Sequence, residues 1–305
     1  MDNDKNIIDK FLEYITIERR YSNLTAISYQ KDLLALCKFL SVSPDAFCPE
    51  LVTEDDVKAF LISELDRGKV ARSVKRTLSS MRSFWKFLLR IGCLKVDVTA
   101  RIIPPKIDHP LPVFFKESEM ELATAYDSMV NDFSSSLDAL VIEMLYQTGM
   151  RRAELLGLAD TDIDFSLKQI RVLGKRNKER IVPVADPLLD QIRQYQQYRS
   201  ELPVLSERKH LLVGQDGCAL SESKLYSIVK RRMSEVSSLK KQSPHVLRHT
   251  FATTMLDNGA DINTIKTLMG HASLAATQIY THTTFEQIRK EYKKAHPRAN
   301  GGNTV

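Results

Sequence analysis

Between Ile102 and Pro112 the chain reads Ile-Ile-Pro-Pro-Lys-Ile-Asp-His-Pro-Leu-Pro, four prolines in eleven residues. Proline has no amide proton, fixes its own φ and pushes the residue before it out of the helical region, so this stretch cannot be a helix interior and should run extended. On either side of it, apolar residues recur at helical spacing. In a chain of 305 residues, long enough for two cores of ordinary size, such a break implies two domains. The expected division is a helical domain at 1–100, a proline-rich linker at 101–113, a second domain at 114–296 and a flexible tail at 297–305.

In the first domain, residues 4–20 and 23–41 carry one-sided apolar patterns. Thr53 with Asp56 reads as a capping box opening a third helix, with Gly68 as its stop. The fourth helix is the unusual one. From Arg67 to Arg90 there are eight Lys or Arg residues and no acid. Val74, Leu78, Met81, Trp85 and Leu88 form an apolar stripe, leaving Arg72, Lys75, Arg76, Ser79, Arg82, Ser83, Lys86 and Arg90 on the other faces. A solvated helix face normally mixes signs. A one-signed face with interleaved hydroxyls suits a phosphate backbone, so Arg72, Lys75, Arg76, Arg82 and Lys86 are candidate DNA-binding residues.

Beyond the prolines the pattern is helical at 117–130, 134–148 and 152–158, and then the period changes. Residues 162–165, 169–173 and 180–184 read as three antiparallel strands, with residues 174–179 as the tip between the second and third. Helices resume at 186–200, 221–236, 247–257, 262–269, 273–280 and 284–294. Asp261 and Ser273 are expected as N-caps, and Gly259 and Gly270 as C-terminal caps. The fold class is therefore mainly α: a four-helix N-terminal domain followed by an α+β domain with a small three-stranded antiparallel sheet.

The net charge of +6 is modest. No run of eighteen apolar residues occurs and the first residues are acidic, so no membrane partner is expected and the protein is expected in the cytoplasm. Cys37, Cys48, Cys93 and Cys218 form no C-x-x-C pair and are expected to be reduced and mostly packed. There is no Walker loop and no acidic cluster placed for two metals, so no cofactor is expected.

The chemistry lies in Ser243-Pro-His-Val-Leu-Arg-His-Thr-Phe-Ala252, in Leu268-Met-Gly-His271, and in Tyr280, nine residues past His271. His245 and Arg248, three apart around a helix start, point the same way. Arg151 follows a glycine that ends an apolar helix; two arginines from separate segments can clamp the non-bridging oxygens of one phosphate. The structural alternative for Arg151 is an ion pair with Glu154, and for Arg152 simple surface exposure. Lys175 sits at the hairpin tip, where an amine could reach a DNA groove and protonate a leaving oxygen, or be a solvated turn lysine. A tyrosine with a pKa of about 10 needs nearby cations to act as a nucleophile.

The strings Thr-Gly-Met-Arg-Arg-Ala-Glu-Leu, Gly-Lys-Arg-Asn-Lys-Glu-Arg, His-Val-Leu-Arg-His-Thr-Phe-Ala-Thr and Leu-Met-Gly-His-Ala-Ser-Leu-Ala-Ala-Thr-Gln-Ile-Tyr-Thr-His resemble, in order and spacing, the motifs of the tyrosine recombinases, the phage integrase family. The first 100 residues resemble that family's SAM-like core-binding domain, and the compact length is most similar to its Xer-type members.

The resemblance implies site-specific recombination through a 3′-phosphotyrosine and a Holliday junction, in chromosome dimer resolution. Tyr280 would be the nucleophile and Arg151 and Arg248 the phosphate clamp. His271 would assist by a hydrogen bond, Lys175 would be the general acid and His245 an acid/base partner for the tyrosine. Glu154 would support these groups, and His249 and His282 would be structural. The implied partners are double-stranded DNA held between the two domains, a homo- or hetero-tetramer of recombinase protomers, a second Xer-type recombinase and a septal DNA translocase. Thr99-Ala100 stands where many relatives carry Asn-Pro, and Arg152 where an aliphatic residue is common; Arg152 is a further DNA-binding candidate. The segment Phe285–Tyr292 is amphipathic enough to dock into a neighbouring protomer, or to pack on its own domain. The other readings are a mobile-element integrase, a type IB topoisomerase-like enzyme and a DNA-binding module that does not cut.

Overall fold

The computed structural model describes residues 6–107, 113–124, 132–174, 178–202, 210–270 and 282–300. The chain divides into two compact units, Met1–Pro110 and Leu111–Val305. In the first, helix α1 (Ile7–Glu13) continues into a π-helical turn over Tyr14–Glu18, which the sequence pattern does not announce. Helices α2 (Asn23–Phe39), α3 (Glu54–Asp66) and α4 (Ala71–Arg90) follow. The Thr53–Asp56 capping box forms in both directions, each residue's side chain taking the other's amide. Gly68 ends the element with φ at 85°.

All five stripe residues of α4 are buried, together with Phe84 and Phe87, against Ile8, Phe11 and Ile15 of the first helical segment and Leu33 and Leu36 of α2. Burying side chains of this size contributes about 1.5–3 kcal/mol each. The basic residues are thereby left on the outer faces. One expectation is corrected: of the four free cysteines only Cys37 is buried, while Cys48, Cys93 and Cys218 are exposed in connecting segments that the core does not enclose.

The second unit contains α5 (Glu117–Thr124), α6 (Phe133–Thr148) and α7 (Arg152–Leu156), then β1 (Ile163–Asp164), β2 (Gln169–Leu173) and β3 (Glu179–Pro183). The sheet is antiparallel in the order β1-β2-β3. Ile163, Ile170 and Val182 share one row and are buried; in the next inward row Val172 stands opposite Arg180. Helices α8 (Asp186–Ser200), α9 (Glu222–Val236), α10 (Pro244–Asp257), α11 (Ile262–Met269) and α12 (His282–Ala295) complete it. Helix α10 starts at Pro244, three residues before the expected 247, because proline at the first helical position gives up an amide that has no intrahelical partner there. Asp261 caps α11 through its carboxylate, and Gly270 ends it with φ at 63°. The expected helix at 273–280 and its cap Ser273 lie outside the described residues.

α12 packs back on its own unit. Ile288, Tyr292 and Ala295 join the core, and His296 is enclosed by the rings of Tyr146, Phe251 and Tyr292.

Candidate active site and nucleic-acid interface

Helix α6 must stop abruptly for Arg151 to face α10. It does so at Gly149, whose φ is 57° and where a Cβ would stand 2.3 Å from Cδ1 of Phe251. No other residue fits that left-handed, tightly packed position. Arg151 then occupies the N-cap of α7, and Glu154 reaches back from the first turn. The Glu154 carboxylate accepts the Arg151 amide at 2.7 Å and Arg151 Nη1 at 2.8 Å, as well as Arg180 Nη1 at 3.0 Å and Arg180 Nη2 at 2.8 Å. The ion pair weighed as the structural alternative for Arg151 is thus present, and it orients the guanidinium without enclosing it: the Arg151 side chain remains 35% exposed.

The same arginines hold the end of α11. Arg180 Nε donates to the carbonyl of Leu268 at 2.7 Å, Arg248 Nη2 to that of Met269 at 2.6 Å, and Arg151 Nη2 to that of Gly270 at 3.2 Å. Three consecutive carbonyls at a helix C-terminus, where the helix dipole is negative, are each taken by a cation from a different element. Arg248 also donates through Nη1 to the carbonyl of Gly149 at 2.5 Å. Arg151 and Arg248 are therefore tied to one another through backbone at both Gly149–Arg151 and Met269–Gly270.

Three guanidiniums around one carboxylate leave an excess of positive charge. Burial alone would raise the Glu154 carboxyl, but the hydrogen bonds and charges of Arg180 and then Arg151 bring it down to about 2. Burial, with repulsion from Arg151, lowers Arg248 to about 10, so it stays charged at neutral pH. Such a site favours an anion that can take the guanidinium donors not committed to the protein.

His245 lies in the first turn of α10, exposed, with its ring edge-on to His249 at 4.8 Å between centroids. Partial desolvation, then the charges of His249, Lys241 and Arg248, hold its pKa below the ordinary imidazole value. That shift favours the neutral imidazole, the form able to accept a proton. Lys175, His271 and Tyr280 lie outside the described residues, as does the side chain of His282. The residues just before Lys175 and His271 are described. Gly174, just before Lys175, bonds across the hairpin to the Lys178 carbonyl at 2.7 Å, and a Cβ there would lie 3.7 Å from Glu154 Oε1. Gly270, just before His271, approaches Arg180 so closely that a Cβ would lie 3.1 Å from Nη1.

Arg180 is the residue that the sequence reading missed. Its signal was a cation at the inward position of an alternating strand, in register with Val172 and two residues from Val182.

On α4, Arg72, Lys75 and Lys86 are exposed and, among the described residues, nothing pairs with them. Arg76 forks onto Asp32, with Nη2 at 2.7 Å from Oδ1, and Thr77 and Ser80 donate to the same buried carboxylate at 3.1 and 2.9 Å. Arg82 donates to the carbonyl of Ile102 at 2.6 Å, bracing the chain as it leaves the domain. In the second unit, Arg152 pairs with Glu222 at 2.5 Å. Beside the π-helical turn, a groove of about 460 Å³ is lined by Tyr14, Arg19, Ser83, Lys86 and Arg90.

Residues 115–287 match the model of the phage integrase family, and residues 8–92 match the phage integrase N-terminal SAM-like domain. The chain belongs to the phage integrase family. It is 37% identical to the tyrosine recombinase XerC of Listeria welshimeri, over 98% of this chain and all of that one. It is 33% identical to the tyrosine recombinase XerC of Chlorobaculum parvum, over 96% of this chain and 94% of that one. Among solved structures, the Tn1549 transposon integrase in complex with transposon right end DNA has the same fold, with a TM-score of 0.72 at 16% identity over 94% of this chain and 99% of that one. The XerH recombinase in a post-cleavage complex with difH gives a TM-score of 0.67 at 21% identity over 94% of this chain and 84% of that one. This integrase-family chain is a tyrosine-type site-specific DNA recombinase, and the arginine cluster is placed in the segment that carries the family match.

Proposed function

We propose that this recombinase resolves chromosome dimers in the Xer manner, with Tyr280 as the nucleophile. The observation that carries the assignment of the site is the pairing of Arg151 and Arg248 through shared backbone contacts in a cluster with excess positive charge. The scissile phosphate binds to their free donors. His245 takes the Tyr280 phenol proton, the phenolate oxygen attacks phosphorus, and the bond to the 5′-oxygen breaks as Lys175 protonates it. Arg151, Arg248 and His271 hold the charge of the pentacoordinate phosphate. The energy of the broken bond stays in the phosphotyrosine, so the partner strand's 5′-hydroxyl restores DNA by attacking it.

Arg72, Lys75 and Lys86, and the groove beside the π-helical turn, bind the DNA backbone. Arg76, Arg82 and Arg152 hold protein partners and serve DNA binding by shaping the surface. Four protomers act on two DNA sites, shared with a second Xer-type recombinase and activated by a septal DNA translocase, in the cytoplasm. Full-chain similarity to XerC recombinases supports this role.

The test is a supercoiled plasmid carrying two copies of the candidate chromosomal site, incubated with the protein alone and with a candidate partner recombinase. Two resolved circles support the reading. Relaxation without recombinant circles would instead favour a topoisomerase-like enzyme.

A further inference from the structure

Arg180 is 5% exposed on the inner face of β3 and commits three of its donors to protein. Two grip Glu154 on α7, and the third holds the Leu268 carbonyl on α11. Its side chain lies under Gly270, where a Cβ would come within 3.3 Å of Cδ and 3.1 Å of Nη1. It thus touches three of the described segments that form the site. These are the hairpin five residues after Lys175, the turn of α7 that orients Arg151, and the end of α11 three residues before His271.

We propose that Arg180 is a positioning residue for DNA cleavage, holding Glu154 and the α11 terminus so that the open donors of Arg151 face the scissile phosphate. The physical reason is competition. Glu154 is buried and faces Arg151 from α7, Arg180 from β3 and the charge of Arg248 from α10. With Arg180 present, its carboxylate is satisfied on both oxygens. Without it, the desolvated carboxylate has only Arg151 to pair with and closes that guanidinium onto itself, removing donors that the phosphate would use. A packing role alone predicts lower stability, since removing one partner leaves the other buried and uncompensated, but no slowing of cleavage in the folded variant at unchanged DNA affinity.

The inference rests on the roles given above to Arg151 and Tyr280, and the measurements separate the two. Single-turnover cleavage of a nicked suicide duplex is compared with DNA affinity for Arg180→Met, Arg180→Lys and the double variant Glu154→Gln/Arg180→Met. Arg180→Met should cleave about 100-fold more slowly, with affinity within about threefold. Its rate should also recover in part as pH falls, because protonating Glu154 frees Arg151, and the double variant should lack that dependence. Arg180→Lys keeps the charge but not the fork, and should lose about tenfold.

Hydrogen exchange of the amides ending α11 should quicken in Arg180→Lys even without DNA. Wild-type cleavage rates in the Met or the Lys variant would overturn the proposal. If Arg180→Met does not fold, the Lys and double variants decide it. If the wild type forms no adduct, the roles of Arg151 and Tyr280 fail, and unchanged exchange at α11 would independently overturn the hold assigned to Arg180.

Discussion

Arg180 places both terminal nitrogens on the Glu154 carboxylate, at 3.0 and 2.8 Å, with each side chain only 5% exposed. That pairing lets one acid sit among three arginines and yet leave Arg151 open on its outer side. It makes Glu154 as necessary as the cations it serves. Replacing it by alanine leaves Arg180 buried without a counter-charge, and we expect a loss of about 3–5 kcal/mol, read as a drop in the denaturant midpoint. A fall below about 1 kcal/mol would show the pair to be dispensable.

The same pair sets an acid limit. With its folded pKa at about 2, below the ordinary carboxylate value, Glu154 contributes stability that is fully present above about pH 4.5 and is lost as pH falls towards 2. The contribution is about 3 kcal/mol. Unfolding curves between pH 5 and 2 should therefore be steeper for wild type than for Glu154→Gln, and parallel curves would contradict this.

His296 gives a second, higher window. Burial, partly offset by the hydrogen bond to the Tyr146 carbonyl, lowers its pKa to about 4, with Arg298 adding to the shift. The folded state thus favours neutral imidazole while the unfolded chain takes up a proton below about pH 6.5, so stability falls as pH drops from there towards 4. The His296→Phe variant should flatten that part of the thermal profile. An unchanged slope would mean another group titrates there.

Arg76 and Lys86 lie on one helix with different duties. Arg76→Ala should cost about 2 kcal/mol, by leaving buried Asp32 with only the hydroxyls of Thr77 and Ser80. Lys86→Ala should leave stability unchanged but weaken DNA binding, reducing the slope of log affinity against log salt by about 1. Salt titration alongside denaturation separates the two, and equal stability loss in both would contradict the division.

Gly149→Ala should be severe. The added methyl would meet Phe251 at 2.3 Å in a left-handed backbone. The expected cost is about 3 kcal/mol or more, measured by thermal unfolding, and a cost within about 0.5 kcal/mol would refute the packing argument.

Much of this was legible because it is local. The capping box at Thr53, the α4 stripe and the Gly270 cap each follow from residues within one or two turns. Arg151, His245 and Arg248 could be proposed as site residues because those residue types stood in a recognisable order. What stayed hidden depends on contacts between distant segments. Arg180 is separated from Leu268 by 88 positions and Arg76 from Asp32 by 44, and no helical or strand period relates such residues. The division of α4 cations into braces and free donors was hidden for the same reason, since the pattern places both on outer faces. The early start of α10 had a signal in Pro244, whose fixed φ suits a first helical turn.

A nicked duplex carrying a candidate chromosomal site, incubated with the protein in the presence of chelator, traps any strand that is cut. Wild type should form a covalent protein–DNA adduct and Tyr280→Phe should form none while binding the same DNA equally well. An adduct in Tyr280→Phe, or tight binding by wild type with no adduct even when the partner recombinase is added, would contradict the assignment of Tyr280 and of the arginine cluster as the cleavage site.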